Sequence, residues 1–368
     1  MSKLKVCIIY NGAAHYRSGI FKQIDQEFDC EWFIAQGYGN IKQLPLSFFI
    51  NAHSLPIKGL AGGLYCQPGT TNLLLSKVYD LFFIFGEFPN LSTWWGLLMH
   101  NILNRKKKVY FWSHGILRVR KWPRRALDKL FFKLPYATFT YGDHAREVMI
   151  RRGLDGDRIF PIHNSLDYNE QIGLRNNFSD IYRRHFGNGN PVLFFIGRLT
   201  KVKRLDMLVR SVDLLRKRGE VVNLVFIGDG PETSALKKQV ETLGLTCTVW
   251  FYGPCYDESE KSVLIANADL CVAPGNIGLT AIDSLMYGTP AITMDNIDMQ
   301  MPEFEALKEG ITGSFFHESD VEDLAVKIHN WLNSGVDRAR IRQNCYNEID
   351  SFWNPEYQIS IIKDHLKP

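Results

Sequence analysis

Short apolar runs alternate with longer segments whose apolar positions recur at helical spacing, and the alternation occurs twice along the chain. In the first half KVCIIY, EWFIA, LFFIF, KVYFWS, ATFTY and IFPIH read as strands. The pattern restarts with PVLFFIG, NLVFIG, TVWFYG, LCVAP, PAITM and GSFF. Between them, RLDMLVRSVDLLRKRG sets Leu205, Leu208, Val209, Val212 and Leu215 at helical spacing before Gly219 ends the run. SALKKQVETLG reads as another helix. Strands alternating with helices predict parallel sheets covered on both faces. The polar, Asn-rich stretch 169–190, ending in GNGN, reads as a linker. The expected architecture is α/β, with one doubly wound domain over 1–168, a second over 191–345, and a closing segment, 346–368. Two such domains in series predict a ligand cleft between them, at the carboxyl ends of the strands.

The length of 368 residues fits two domains, and 45% hydrophobic with 22% charged residues excludes a disordered, collagen-like or coiled-coil chain. No apolar run reaches the ~18–20 residues of a spanning helix. The opening MSKLKVCIIYNG is too brief for a signal peptide's apolar region, so the expected compartment is the cytosol. Seven cysteines, at 7, 30, 66, 247, 255, 271 and 345, form no CxxC or Cys/His cluster, and buried thiols are the expectation. The net charge of +4 conceals a split: +10 over residues 1–168 and −6 over 169–368. The stretch 105–133 alone holds 11 basic residues against one acid, Asp128, so a local partner is expected there.

The chemistry concentrates between 194 and 290. FFIGRLTKVKRLD ends a strand at Gly197 and follows it with Arg198 and Lys203 before a helix. Two cations at the carboxyl edge of a strand, beside a helix N-terminus, suit a diphosphate. Lys201 and Arg204 read as solvated. In FIGDGPE, Gly228, Gly230 and Pro231 make a tight strand-to-helix turn with Glu232 behind it, and Gly253 in FYGPC ends another strand. LCVAPGNIGLTAIDSLMYGTP ends a strand at Pro274. Gly275, Asn276 and Gly278 then permit close backbone approach, and the amides of Gly278, Leu279 and Thr280 point at an anion. Asp283, one helical turn on, suits a ribose hydroxyl. Asp155-Gly156-Asp157 has the form of a metal-binding DxD, but its place in RRGLDGDRIFPI is that of a surface turn.

Taken in order, GRLTKVKRLD, FIGDGPE, FYG, NADLCVAP, GNIGLTAID and YGTPAIT resemble the donor-binding domain of the retaining glycosyltransferases of family 4 over about 100 residues. YRSGIFKQI, FGEFPNLS, FWSHGI and HNSLD are similar to that family's first domain, closest to a membrane-associated, polysaccharide-building bacterial branch. The resemblance implies the GT-B architecture of two Rossmann-like domains, with FWNPEYQISIIKDHL crossing back to the first. One departure stands out. The family's Glu-x7-Glu, aligned on Gly278-Leu279, falls on Gly275 and Asp283, so the carboxylate that faces the transferred sugar is missing.

What the resemblance implies is transfer of a sugar from a nucleotide-sugar to a lipid-linked saccharide acceptor, with retention and without a metal or other cofactor. Arg198, Lys203 and the helix start at 278 would stabilise the diphosphate leaving group, and no carboxylate dyad of the hydrolase kind is needed. His114 would face the sugar, Gly12 and Ala13 the diphosphate, and His15, Tyr16, Arg17 and Glu87 the acceptor. A sugar-nucleotide epimerase of the same fold and a non-catalytic nucleotide-binding scaffold are the rival readings, and the donor-domain motifs argue against a nucleic-acid partner. Finally, WPRRALDKLFFKLP predicts a basic amphipathic helix opened by Pro123. Trp122, Ala126, Leu127, Leu130 and Phe131 would share its apolar face, with Arg124, Arg125, Lys129 and Lys133 around it. The expectation is peripheral attachment to an anionic membrane, on the inner face of the plasma membrane.

Overall fold

A computed structural model describes residues 3–37, 42–104, 106–117 and 122–368. Arg105, Arg118, Arg120 and Lys121 of the basic stretch lie outside the described residues. The chain forms two compact units, residues 1–167 together with 354–368, and residues 168–353.

Among the described residues, the first unit is built on seven parallel strands: β1 (Lys5–Tyr10), β2 (Asp29–Ile34), β3 (Ala52–Ser54), β6 (Leu81–Phe85), β7 (Lys108–Ser113), β8 (Ala137–Thr140) and β9 (Ile159–Pro161). Their order is β3-β2-β1-β6-β7-β8-β9, and β4 (Lys58–Gly59) with β5 (Tyr65–Cys66) makes a separate antiparallel ribbon. Every strand expected in this half is present. The missed pieces, β3 to β5, are too short to show a period. Alternate residues serve two cores, which is why the strands read as unbroken apolar runs. Val6, Ile8, Tyr10, Phe83 and Trp112 face one side, where α1 (Ser18–Glu27) packs. Cys7, Ile9, Phe82, Ile84 and Phe111 face the other, under α2 (Thr70–Leu74), α3 (Leu91–Leu103) and α4 (Arg124–Phe131). A further helix, α5 (Asp143–Arg151), follows β8.

The second unit opens with α6 (Tyr168–Ile172) and α7 (Ile181–Phe186). Its sheet has six parallel strands: β10 (Val192–Ile196), β11 (Asn223–Ile227), β12 (Val249–Gly253), β13 (Leu270–Ala273), β14 (Ala291–Met294) and β15 (Gly313–Phe316). The order is β12-β11-β10-β13-β14-β15. The helices are α8 (Leu205–Lys217), α9 (Thr233–Thr242), α10 (Glu258–Ala266), α11 (Thr280–Met286), α12 (Val321–Leu332) and α13 (Arg338–Phe352). All five apolar positions assigned to the face of α8 are buried. In each sheet the chain direction of travel reverses beside the first strand, between β1 and β6 and between β10 and β13. Loops diverge at such a point and leave a crevice at the carboxyl edge.

Two boundaries differ from expectation. Residues 169–190 are not a free linker but part of the second unit, and polar side chains anchor them there. Gln171 donates to Glu258 at 2.9 Å, Arg175 forks onto Asp350 at 2.6 and 2.9 Å, and Asn177 donates to Ser262 at 3.0 Å. The closing segment starts at 354 rather than 346, because Cys345 and Ile349 of α13 are buried within the second unit. Only α14 (Pro355–His365) returns to the first unit. There Ile359 and Ile362 join the core, and Lys363 pairs with Glu27 of α1 at 2.7 Å.

Candidate functional site

In the second unit, three loops at the carboxyl edge pack backbone against backbone. A Cβ on Gly228 would lie 2.0 Å from the Gly197 carbonyl, and one on Gly230 would lie 2.2 Å from that of Leu199. Leu199 and Glu232 tie the same loops together through backbone bonds of 2.9 and 3.1 Å. Gly230 is thus explained by packing, and its amide is satisfied by Asp229 and Thr233. Gly197 has φ +135° and Gly253 φ +96°, which side chains avoid. The Gly253 carbonyl accepts the Gly228 amide at 2.8 Å.

This packing presents the two cations. Arg198 is exposed at the end of β10. Lys203 is half-buried, and its ammonium donates to the Asn276 backbone oxygen at 2.7 Å and Oδ1 at 2.8 Å, which leaves its third N–H for a ligand. Burial lowers the Lys203 pKa to about 8, against the opposing pull of Glu303. The amides of Gly278, Leu279 and Thr280 precede the first bonds of α11, which run from Ala281 to Gly278 and from Asp283 to Leu279. Thr280 fastens this start to β10 by donating to the Ile196 carbonyl at 2.9 Å.

Asp283 stands in a buried polar cluster that the sequence did not reveal. Its Oδ1 takes the Lys261 ammonium at 2.8 Å and Gln171 at 3.4 Å. Lys261 also pairs with Glu258 at 2.7 Å, and Tyr287 donates to Glu258. Burial raises the Asp283 pKa, Lys261 opposes this, and the Glu258 charge adds to it. The charges keep Lys261 protonated despite burial. Gln171, Glu258 and Lys261 escape sequence reading because they come from two helices more than 80 residues apart. The spacing of Glu258 and Lys261 on one face of α10 was the only signal.

In the first unit, β1 ends at Tyr10, and Asn11 and Gly12 follow it. Ala13 is fully buried and its carbonyl accepts the Leu44 amide at 2.8 Å, so only Gly12 stays partly open. His15 is exposed and bonded to Lys42 at 3.1 Å, and Tyr16 is half-buried. Arg17 turns inward instead of meeting solvent. Its guanidinium donates to the Tyr10 and Tyr141 hydroxyls and lies 4.7 Å from the Tyr141 ring centre. The Arg17 Nε has no hydrogen-bond partner among the described residues. Glu87, after β6, accepts from Asn11 at 3.0 Å and from Tyr65, so it braces the β1 loop.

His114 follows β7. Ser113 sets its backbone by donating to Gly86 at 2.7 Å and accepting the Gly115 amide at 3.1 Å. Burial, reinforced by the Arg17 charge, lowers the His114 pKa to about 4, so the imidazole is neutral at pH 7. Its Nδ1 is without a partner among the described residues. The ring lines a cavity of about 190 Å³ with Gly86, Glu87, Ser113 and Arg124. A neutral imidazole with a spare nitrogen can orient a sugar hydroxyl without carrying charge.

The remaining expectations divide. Asp155 accepts the Asp157 amide at 3.0 Å and pairs with Arg158 at 3.4 Å, the geometry of a capped surface turn. Trp122, just before α4, is exposed, as are Arg125, Ala126, Leu127 and Leu130 on it, and Lys129 is half-buried. Phe131 contradicts its assignment to the exposed face. It is fully buried against Trp94, with ring centres 4.9 Å apart, and Phe111, at 5.0 Å. Arg124 is drawn in too, 3.4 Å from the Phe88 ring centre and 3.3 Å from Asp128.

Residues 180–348 match the family described as glycosyl transferases group 1. Over 191 residues the chain is 29% identical to mannosylfructose-phosphate synthase of Agrobacterium fabrum, covering 49% of this chain and 38% of that protein. It is 28% identical over 214 residues to D-inositol 3-phosphate glycosyltransferase of Nocardia farcinica, covering 55% and 45%. The chain therefore spans less than half the length of these curated relatives. The crystal structure of Anabaena Alr3699/HepE in complex with UDP superposes with a TM-score of 0.75 at 16% identity, over 98% of this chain and 99% of that one. The chain thus has the GT-B fold, and within it residues 180–348 are similar to the glycosyl transferases group 1 family.

Proposed function

We propose that this chain is a retaining glycosyltransferase that moves a sugar from a nucleotide-sugar to a lipid-linked saccharide, in polysaccharide biosynthesis. The observation that carries this reading is the carboxyl edge of the second unit, where Arg198 and Lys203 follow β10, Lys203 bonds Asn276, and the amides of residues 278–280 open α11. The bond from the sugar's anomeric carbon to the diphosphate breaks there. The bond to the acceptor oxygen forms on the same face, and the acceptor's proton passes to a departing phosphate oxygen. Fixed cations and amides stabilise the leaving charge, and no metal takes part. His114 orients the sugar, Asp283 holds the ribose, and His15 and Tyr16 border the acceptor, while Arg17 braces Tyr10 and Tyr141 behind them. The chain works as a peripheral protein on the inner face of the plasma membrane.

The test is a panel of UDP-, GDP- and ADP-sugars incubated with the protein in excess EDTA. Slow release of free nucleotide supports the reading. Formation of an epimer, tight binding without turnover, or activity that requires added Mg²⁺ or Mn²⁺ overturns it.

The Asp283 cluster gives a second expected result. Asp283→Ala weakens UDP binding by ~1–3 kcal/mol, the value of a charged hydrogen bond, while Lys261 keeps Glu258 as partner. Lys261→Met is worse for the fold, because it removes the cation shared by two largely buried carboxylates and leaves them only neutral donors, at a cost of ~3–5 kcal/mol. Burial already raises the Asp283 pKa above its unfolded value, so part of the lost stability returns as pH falls and Asp283 protonates. Calorimetric UDP titrations and thermal melts across pH check both. Equal melting of the two variants contradicts the cluster's assignment.

A further inference from the structure

Helix α3 is built the wrong way round for a surface helix in water. Its 13 residues, LSTWWGLLMHNIL, include no Asp, Glu, Lys or Arg. The side turned to the sheet and to α2 buries Thr93, Gly96, Leu97 and His100. His100 is held there by the carbonyls of Leu74 at 2.8 Å and Lys107 at 2.9 Å, and Gly96 gives room to Leu74. The opposite side, at i, i+4, i+7 and i+11, exposes Leu91 (41%), Trp95 (57%), Leu98 (44%) and Ile102 (64%). An amphipathic surface helix shows the reverse arrangement, apolar in and polar out. Contiguous apolar surface of this kind marks an interaction site.

The surroundings indicate what covers it. α4 lies alongside, with Trp94 packed on Phe131 and Asn101 donating to the Leu134 carbonyl at 3.0 Å. α4 and its flanks add exposed Trp122 (81%), Leu127 and Leu130, together with the cations Arg125, Lys129 and Lys133. At the far end of α3, Lys106 and Lys77 are exposed beside Val78, in a corner fixed by Lys107, which donates to the Lys77 carbonyl at 2.8 Å. Between residues 88 and 136 the only carboxylate is Asp128. It is buried, 3.3 Å from Arg124 and 3.7 Å from Arg152, so it does not dilute the positive field. An apolar stripe framed by cations complements a surface that is apolar beneath and anionic on top, which a bilayer with acidic headgroups is. No helix among the described residues is long and apolar enough to cross a membrane.

We propose that the Leu91–Trp95–Leu98–Ile102 stripe of α3 is the element that enters the headgroup–acyl boundary of an anionic bilayer, with the cations of α4 as its electrostatic guide. This deepens the peripheral-membrane location proposed above and assigns the anchoring to a different helix from the one that the charge pattern singled out. Wedge and guide make separable demands. The guide acts at a distance and is screened by salt, whereas the stripe acts on contact and is not.

The test is sedimentation of the full chain with vesicles of phosphatidylcholine alone, or with 30 mol% phosphatidylglycerol, at about 50 and about 500 mM salt. Trp95→Glu with Leu98→Glu is compared with Arg125→Glu with Lys129→Glu. All four positions lie outside the groups assigned to sugar transfer, so melting temperature and donor hydrolysis serve as controls. The wild type is expected to bind the anionic vesicles. The α3 pair should lower the partition coefficient at least tenfold at both salt concentrations, and the α4 pair mainly at low salt. Wild-type-like binding by the α3 pair, alongside loss in the α4 pair, overturns the inference and leaves the membrane location standing. Absence of wild-type binding to either vesicle overturns both. A concentration-dependent dimer that Trp95→Glu dissolves assigns the stripe to a second copy of this chain and also overturns the inference.

Discussion

Arg198→Ala and Lys203→Ala are each expected to lower turnover roughly 100- to 1,000-fold, the usual cost of removing one group aimed at developing charge. The two should differ in what else they change. Arg198 is exposed, so its variant should melt like the wild type. Lys203 bonds two oxygens of Asn276, and its removal also loosens the 275–278 loop. Lys203 further predicts a pH dependence. Its pKa of about 8 means that the free protein loses this charge above that pH. A bound diphosphate favours the protonated form, so UDP affinity should fall as pH rises past 8, at most about tenfold per pH unit for one linked proton. In Lys203→Ala that decline should vanish. Steady-state rates and UDP calorimetry between pH 6 and 10 check each part, and a wild-type rate in either variant contradicts the assigned anion site.

Gly275→Glu is the second large effect, and its direction opposes what the family resemblance suggests. By motif alone, a Glu here restores a missing carboxylate. The structure leaves no room for one. A Cβ at Gly275 would sit 2.1 Å from the Val202 carbonyl oxygen and 2.8 Å from Lys203 backbone atoms, and backbone cannot swing aside as a side chain can. The Gly275 amide is also bonded to the Lys203 carbonyl at 3.0 Å, so relief of the clash must push away the segment that carries Lys203. Overpacking of this kind costs ~1–3 kcal/mol. The expected outcome is a lower melting temperature and a loss of turnover about as large as in Lys203→Ala, with Gly275→Ala showing most of it. A gain of activity in Gly275→Glu would show that the 197–204 loop can stand further off.

The parallel strands were legible because burial on both faces writes them as apolar runs, as in Val192–Ile196 and Leu81–Phe85. The placement of Arg198, Lys203 and residues 275–280 at the carboxyl edge was legible because each lies in the loop after such a strand; their roles are proposals. Residues 169–190 were misread because Gln171, Arg175 and Asn177 anchor them, and polar anchors look like solvated linker until their partners are seen. Phe131 was misplaced because α4 has only eight residues, too few for spacing to separate the face under Trp94 from the face in solvent. The inward turn of Arg17 onto Tyr10 and Tyr141 had no local sign, since those tyrosines end strands 131 residues apart. Lys261 beside Asp283 was equally hidden.

The first unit closes only with α14. Pro355 fills the space above Gly19, Gln23 reaches Glu356 at 2.9 Å, and the Tyr110 hydroxyl donates to the Lys367 carbonyl at 2.7 Å. On the ribosome, then, order of synthesis and order of completion run in opposite senses. Residues 1–167 emerge first yet lack Ile359, Ile362 and Leu366 until the whole of 168–353 has been made. The second unit, continuous in sequence, is free to fold while the first still waits with an open seam along α1. A chain truncated after residue 353 should therefore hold a protease-resistant second unit and a protease-sensitive first.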